Sequence, residues 1–450
     1  MIRFSFIPSL SVLKSFLFYS LLLLTHASAA LAKDQLIIIS PHRKSVEQEI
    51  VPAFTEYYKK TYKTEVSVDW LDQGGASDDL RYVLMRFEKN PSSGIDVFWG
   101  GGEHPYMELD QLGLLEPHPL PASLKANVPE EIQGVFLYNK KETWHAAALS
   151  SFGIFYNKKM QDLMRIPLPE TWDDLGDPRY FDNVSSSDPR HSSSFLTINL
   201  TILQSKGWEK GWELLTRIAA NTRKFVSSSS APIKAVVAGE SCAGLSVDYF
   251  AFSKLDELGE KNLGFIYPKD KTIINSDPIA ILKRGPNPLV AKRFVEFVLS
   301  TQAQKFLLLP KGLGDGPKFT SLGRMSVNRQ AYLETEGRRV SVLNPFDLKI
   351  PTFVLDLDRV VKLQFVLSDL LGAMLIDPHR ELKLAWKAII TKKFPAAATK
   401  TFFEIPVSQR DLEVYAEKWS DKTFRNEKIN EWLNYARTKY SGLLKIYAGN

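Results

Sequence analysis

A chain of 450 residues is too long for one compact core, so at least two domains are expected. Its 44% hydrophobic and 24% charged residues are those of an ordinary soluble globular protein. The net charge of +6 is spread without a run of five like charges, so nucleic acid is not an expected partner.

The chain opens with Arg3 and Lys14 around and before an apolar run, Ser15 to Leu24, followed by "THASAALAK". Ala27 and Ala29 fit the small-residue cleavage pattern, so residues 1–32 read as a secretory signal peptide removed from the mature protein. The apolar run is short against the roughly 20 residues of a membrane span. No cysteine lies near the cleavage point to carry a lipid. Cys242 is the only cysteine, so an internal disulfide is excluded, and it reads as a small buried residue.

"QLIIIS" then forms a strand. "SVEQEIVPAFTEYYKK" follows as a helix, with Ser45 and Gln48 as an expected capping box and Pro52 as an expected kink. "TEVSVDW" alternates like a strand. Leu80, Val83, Leu84 and Phe87 recur at helical spacing, and "IDVFW" is the next strand. This β-α-β-α-β order predicts an α/β fold with a mostly parallel sheet. "AALSSFGIFYNKK" is extended, Thr197–Gln204 and Trp212–Ala219 are helical, and "AGLSVDY", "LGFIY" and "DPIAILK" are strands. After about residue 335 the pattern is almost wholly helical.

Three loops stand at the carboxyl ends of successive strands, where ligands bind in open α/β sheets. The first carries Ser40, His42 and Arg43. The second is Gly74-Gly75-Ala76-Ser77, where Gly75 and Ser77 are candidate ligand contacts through backbone amide and hydroxyl. Asp78 and Asp79, just inside the next helix, disfavour a bare anion there. The third is "WGGGEHPY", with Gly101 and Gly102. No HExxH, Cys-x-x-Cys, Walker loop or G-x-S-x-G elbow is present, so a secreted hydrolase is the lesser reading and no catalytic residue is assigned.

Four segments carry a resemblance: "SFGIFYNKKM" (151–160), "PETWDDLGDPRY" (169–180), "AVVAGESCAGLSVDYFA" (235–251) and "INSDPIAILKRGPNPLVAKRFVEFVLSTQAQKFL" (274–307). In this order they resemble the periplasmic solute-binding proteins of ATP-binding-cassette importers. The likeness is to the type 2 branch that binds ferric ion, phosphorylated sugars and phosphonates. It covers roughly Leu36 to Leu309. It implies two hinged α/β lobes of the Venus-flytrap type, here with a helical C-terminal extension. The implied division is lobe 1 over 33–145 plus 278–335, lobe 2 over 146–277, and the extension over 336–450. That extension is expected to wrap lobe 1 or to form a docking surface.

The resemblance further implies a periplasmic, monomeric, non-enzymatic receptor without cofactor. Its partners would be a small-molecule or ion ligand and an inner-membrane permease. The family's iron binders use two adjacent tyrosines in the segment matching "VDYFA", whereas this chain has Tyr249 followed by Phe250. A ferric site would then rest on His42, Glu103 and Tyr249. An organic anion such as a phosphorylated or phosphonate compound is the preferred ligand. It would be held by Ser40, His42, Arg43, Gly75, Ser77, Gly101, Gly102, Ser151, Ser193, Asp248 and Tyr249. The stretch "SDPRHSSS" around Ser193 is expected to reach the ligand from lobe 2, with Asp248 at the ligand's other end.

Overall fold

The computed structural model describes residues 33–340, 343–347 and 352–447. The signal-peptide reading of residues 1–32 lies outside them.

The chain begins β1 (Asp34–Ile39), α1 (Lys44–Tyr62), β2 (Val66–Leu71), α2 (Ala76–Lys89), β3 (Val97–Trp99) and α3 (His104–Gln111). β1 pairs in parallel with β2 and β3, so their carboxyl ends share one edge. Short pieces follow: β4 (Leu115–Glu116), α4 (Ala122–Lys125), β5 (Glu131–Ile132) and β6 (Val135–Phe136). β7 (His145–Asn157) is buried along its whole length. Next come α5 (Lys158–Met164), β8 (Val184–Ser187), α6 (Ser193–Lys206), α7 (Trp208–Asn221) and β9 (Thr222–Val226). α8 (Ala231–Val237), β10 (Ala243–Val247), α9 (Asp248–Leu258), β11 (Leu263–Ile266) and β12 (Ile274–Leu282) complete this part. α10 (Pro288–Leu299), α11 (Thr301–Leu308) and α12 (Arg329–Glu334) follow.

The strands run in the order β2-β1-β3-β12-β7-β10-β8-β9. β12 pairs with β3 over Ile279–Ile281 and with the first half of β7. The second half of β7 pairs with β10. Two long strands therefore carry the chain between two halves, which is the two-lobed α/β architecture. On one side, Phe54, Val97, Phe294 and Met325 share an apolar core. On the other, Phe155, Trp212, Leu245 and Phe195 belong to a separate one.

One local expectation fails. α1 starts at Lys44 with Arg43 at the N-cap position and no side-chain cap, so Ser45 lies inside the helix and no capping box forms. Pro52 sits inside the same continuous helix. α2 starts at Ala76 after Gly75, leaving Ser77 exposed in the first turn without a capping bond.

The C-terminal helices are α13 (Leu357–Leu371), α14 (His379–Thr391), α15 (Ala396–Phe403), α16 (Gln409–Ala416) and α17 (Lys422–Tyr447). They do not wrap the first lobe. Their apolar faces join the core of the second, through Leu367, Trp386, Phe402, Trp432 and Tyr440. Trp386 stacks on Phe402 with ring centroids 5.2 Å apart, and its indole N–H donates to Asn221 on α7 at 3.0 Å. Arg190 pairs with both Asp188 and Asp377, fastening the β8–α6 loop to the extension. The physical reason is that α6 and α7 leave an apolar surface that these amphipathic helices cover.

Candidate ligand-binding cleft

The first and third strand-end loops meet. Gly100 and Gly101 both have positive φ, of 96° and 92°. A Cβ on Gly100 would lie 2.6 Å from the His42 ring, and one on Gly101 would lie 2.4 Å from the Ala76 Cβ. Only glycine allows this approach and this backbone. The three loops thus form one wall at the sheet edge.

His42 is buried at the centre of a polar network. Its Nε2 lies 2.7 Å from Asp277 Oδ2, and its Nδ1 lies 3.0 Å from Ser40 Oγ. These partners fix the tautomer: Nε2–H donates to the carboxylate and Nδ1 accepts from the hydroxyl. Arg324 also pairs with Asp277 Oδ2, and the Gly101 N–H donates to Oδ1 at 3.1 Å. One carboxylate cannot neutralise two buried cations. Burial accordingly holds the His42 pKa below its ordinary value, although Asp277 acts against this, and the ring is neutral. Burial opposes the charge on Asp277, but the Arg324 guanidinium and the hydrogen bonds from Arg324 and His42 outweigh it and keep the carboxylate ionised.

A cavity of about 50 Å³ lies beside this network. His42, Arg43 and Ser45 line it from the first lobe, Tyr249 and Phe250 from α9, and Arg324 from the segment before α12. Two guanidiniums rest on two aromatic rings across it. Arg43 Cζ lies 4.1 Å from the Phe250 ring centroid, and Arg324 Cζ lies 4.0 Å from that of Tyr249. The uncapped start of α1 adds backbone N–H groups and the positive end of a helix dipole. The arrangement is suited to a small anion.

The other residues singled out from sequence lie elsewhere. Ser40 and Gly101 support His42 and Asp277 from behind. Gly75 caps the start of α2, and Gly102 lies beside Asn275. Ser193 is exposed at the first position of α6, and its neighbour Ser192 bonds Ser229 at 2.7 Å. Ser151 is fully buried, its N–H donating to Asp248 at 3.0 Å. Asp248 turns inward to Ser151, Tyr267 and its own helix start, and burial raises its pKa to about 7. Glu103 accepts from the Ser276 hydroxyl at 2.6 Å. Tyr249 keeps its proton, because burial pushes its pKa up. Among the described residues, no group of three or more His, Cys, Asp or Glu is placed to hold a metal ion. Cys242 is buried, and burial raises its pKa to about 11. Arg324 and Asp277 were not singled out. Arg324 lies outside the quoted segments and Asp277 was read only as part of a strand; their pairings with His42 span 282 and 235 residues.

This fold, two lobes joined by paired crossover strands with a cleft at the strand ends, is that of the type 2 periplasmic binding proteins. A sequence profile described as "Bacterial extracellular solute-binding protein" matches residues 95–309. The chain is 24% identical over 332 residues to the phosphoglycerate transport regulatory protein PgtC of Salmonella typhimurium, covering 72% of this chain and 76% of that one. It superposes with a TM-score of 0.61 on the periplasmic binding protein AfuA of Actinobacillus pleuropneumoniae, solved with fructose-6-phosphate, at 20% identity, covering 76% and 99% of the two chains. Iron-bound HitA of Pseudomonas aeruginosa gives a TM-score of 0.57 at 20% identity, covering 74% and 98%.

Proposed function

We propose that this protein is the extracytoplasmic receptor of an importer, which closes two lobes on a small organic anion and presents it to a membrane permease. The carrying observation is the convergence of Arg43, Arg324 and the uncapped start of α1 on one cavity. Guanidinium forks and helix N-termini together match a phosphate or carboxylate. The lobes are taken as 33–145 plus 278–335 and 146–277, with 336–450 as the extension, and the receptor as a monomer. The leader in residues 1–32 supports a periplasmic site of action. The role is binding and delivery without catalysis. The relatives' names support phosphorylated ligands: PgtC is named for phosphoglycerate and AfuA was solved with a sugar phosphate.

A ferric reading finds less support. Tyr249 lies against a guanidinium and Glu103 is spent on Ser276. The test is a thermal-shift and calorimetric screen of 3-phosphoglycerate, fructose 6-phosphate, inorganic phosphate and ferric citrate. A phosphorylated compound at 100 times its Kd stabilises by about 2.7 kcal/mol and raises Tm by a few degrees. A protein that ignores the anions and turns coloured with ferric salt overturns the reading.

A further inference from the structure

The cleft arginines come from places 281 residues apart in sequence, one beside α1 and one in the segment before α12. Something must hold that segment in register with α1. Glu49 does so geometrically. It lies on α1, past the helix start that Arg43 precedes, and is only 4% exposed. Its carboxylate accepts three consecutive backbone N–H groups: Lys318 at 2.7 Å, Phe319 at 2.6 Å and Thr320 at 2.7 Å. The next residue, Ser321, accepts from the Lys311 N–H at 2.8 Å and donates to Asp256 on α9 at 2.5 Å. Leu322 is buried in the first lobe's core. Arg324 then donates its backbone N–H to Leu307 at 2.9 Å, and Met325 bridges to Leu149 on β7.

We infer that Glu49 is a positioning residue for anion binding: it locks the 318–324 segment to α1 and so sets the spacing between Arg43 and Arg324. This rests on the reading of those arginines as the anion's contacts. Three charge-assisted bonds to adjacent amides are short and directional. Glutamine keeps one oxygen acceptor but points an amide N–H₂ at a backbone donor, so the Lys318 bond is lost.

The experiment uses the full mature chain and 3-phosphoglycerate and inorganic phosphate as probes. Glu49→Gln is expected to weaken probe binding about tenfold, the effect of losing one charged hydrogen bond. A double-mutant cycle separates positioning from general destabilisation. Paired with Arg324→Lys, Glu49→Gln should add little further loss. Paired with Arg43→Lys, it should add its full loss. Hydrogen exchange on the unliganded proteins gives a second readout, with amides 318–324 exchanging faster in Glu49→Gln while α1 is unchanged. Losses that add in the Arg324 cycle, or unchanged exchange at 318–324, overturn the inference. A native protein that binds neither probe overturns the functional reading instead, and the exchange result still decides the role of Glu49.

Discussion

The Arg324 guanidinium lies 4.0 Å above the Tyr249 ring and also pairs with Asp277, so one side chain joins an aromatic of the second lobe to a carboxylate on the crossover strand. Its loss has two consequences. Arg324→Ala leaves Asp277 buried without its main counter-ion, which costs about 3–5 kcal/mol of stability. It also removes a cationic neighbour that depresses the His42 pKa. The variant is expected to bind no phosphorylated probe and to show an upward shift of the His42 titration, read by NMR. Arg324→Lys keeps the charge without the planar fork and should retain stability better than affinity.

Asp79 sits fully buried in the first turn of α2, with Oδ1 accepting the Gln73 N–H and Oδ2 unpartnered. Burial, with Asp72 and Asp78 nearby, raises its pKa to about 7. The folded state therefore holds a proton that the unfolded state releases near pH 4. Stability from this group is present at low pH and is lost as pH rises through 7. Asp79→Asn removes that loss. Between pH 5 and 8 the native protein's Tm should fall relative to the variant's, and parallel curves would refute the assignment.

The same residue shows what sequence does and does not reveal. The β-α-β order and the helical C-terminus follow from apolar periodicity, which is local, whereas the two-lobed division came only from the resemblance. The position of Asp78 and Asp79 at a helix start was also legible. That Asp79 folds inward and is held neutral was not, because burial is a tertiary property. His42 and Arg43 were found because they stand at a strand's carboxyl end. Arg324 and Asp277 were not, since their pairing with His42 spans 282 and 235 residues. Phe250 was read from sequence as a residue that cannot ligate metal. In the fold it is the surface on which Arg43 rests.

Lys439 on α17 is buried, and its ammonium donates to the Phe402 and Glu404 carbonyls at 3.0 and 2.8 Å. Burial lowers its pKa to about 7. Here the unfolded state binds the extra proton, so stability should rise with pH from about 7 towards the ordinary lysine range. Lys439→Met should flatten that rise. Urea midpoints at pH 7.5 and 9.5 measure it: an increase in the native protein and none in the variant is expected.

The extension shares one apolar core with the second lobe, so truncation after residue 335 should uncover the α7 surface that carries Trp208 and Asn221, which bond Val407 and Trp386. The truncated chain is expected to bind a hydrophobic dye and unfold without a cooperative transition. A soluble truncated chain with native cooperativity would show the second lobe to be self-sufficient. Gln364→Ala is the milder test. Gln364 on α13 bonds His104 on α3, a direct link from extension to first lobe. The variant should keep its Tm within a degree or two and exchange the amides of α3 faster.

The rings under Arg43 and Arg324 do more than add contact. Each removes water from one face of a guanidinium while leaving N–H groups along its edge available. An anion arriving at that edge meets a half-dry charge, in a medium of lower effective dielectric than bulk water. Attraction in such a place is stronger and far less screened by salt than on an open surface. Capture at Arg324, which is 7% exposed, should therefore persist at ionic strengths that erase binding to exposed arginines, and replacing Tyr249 with alanine should make the receptor salt-sensitive without removing either guanidinium.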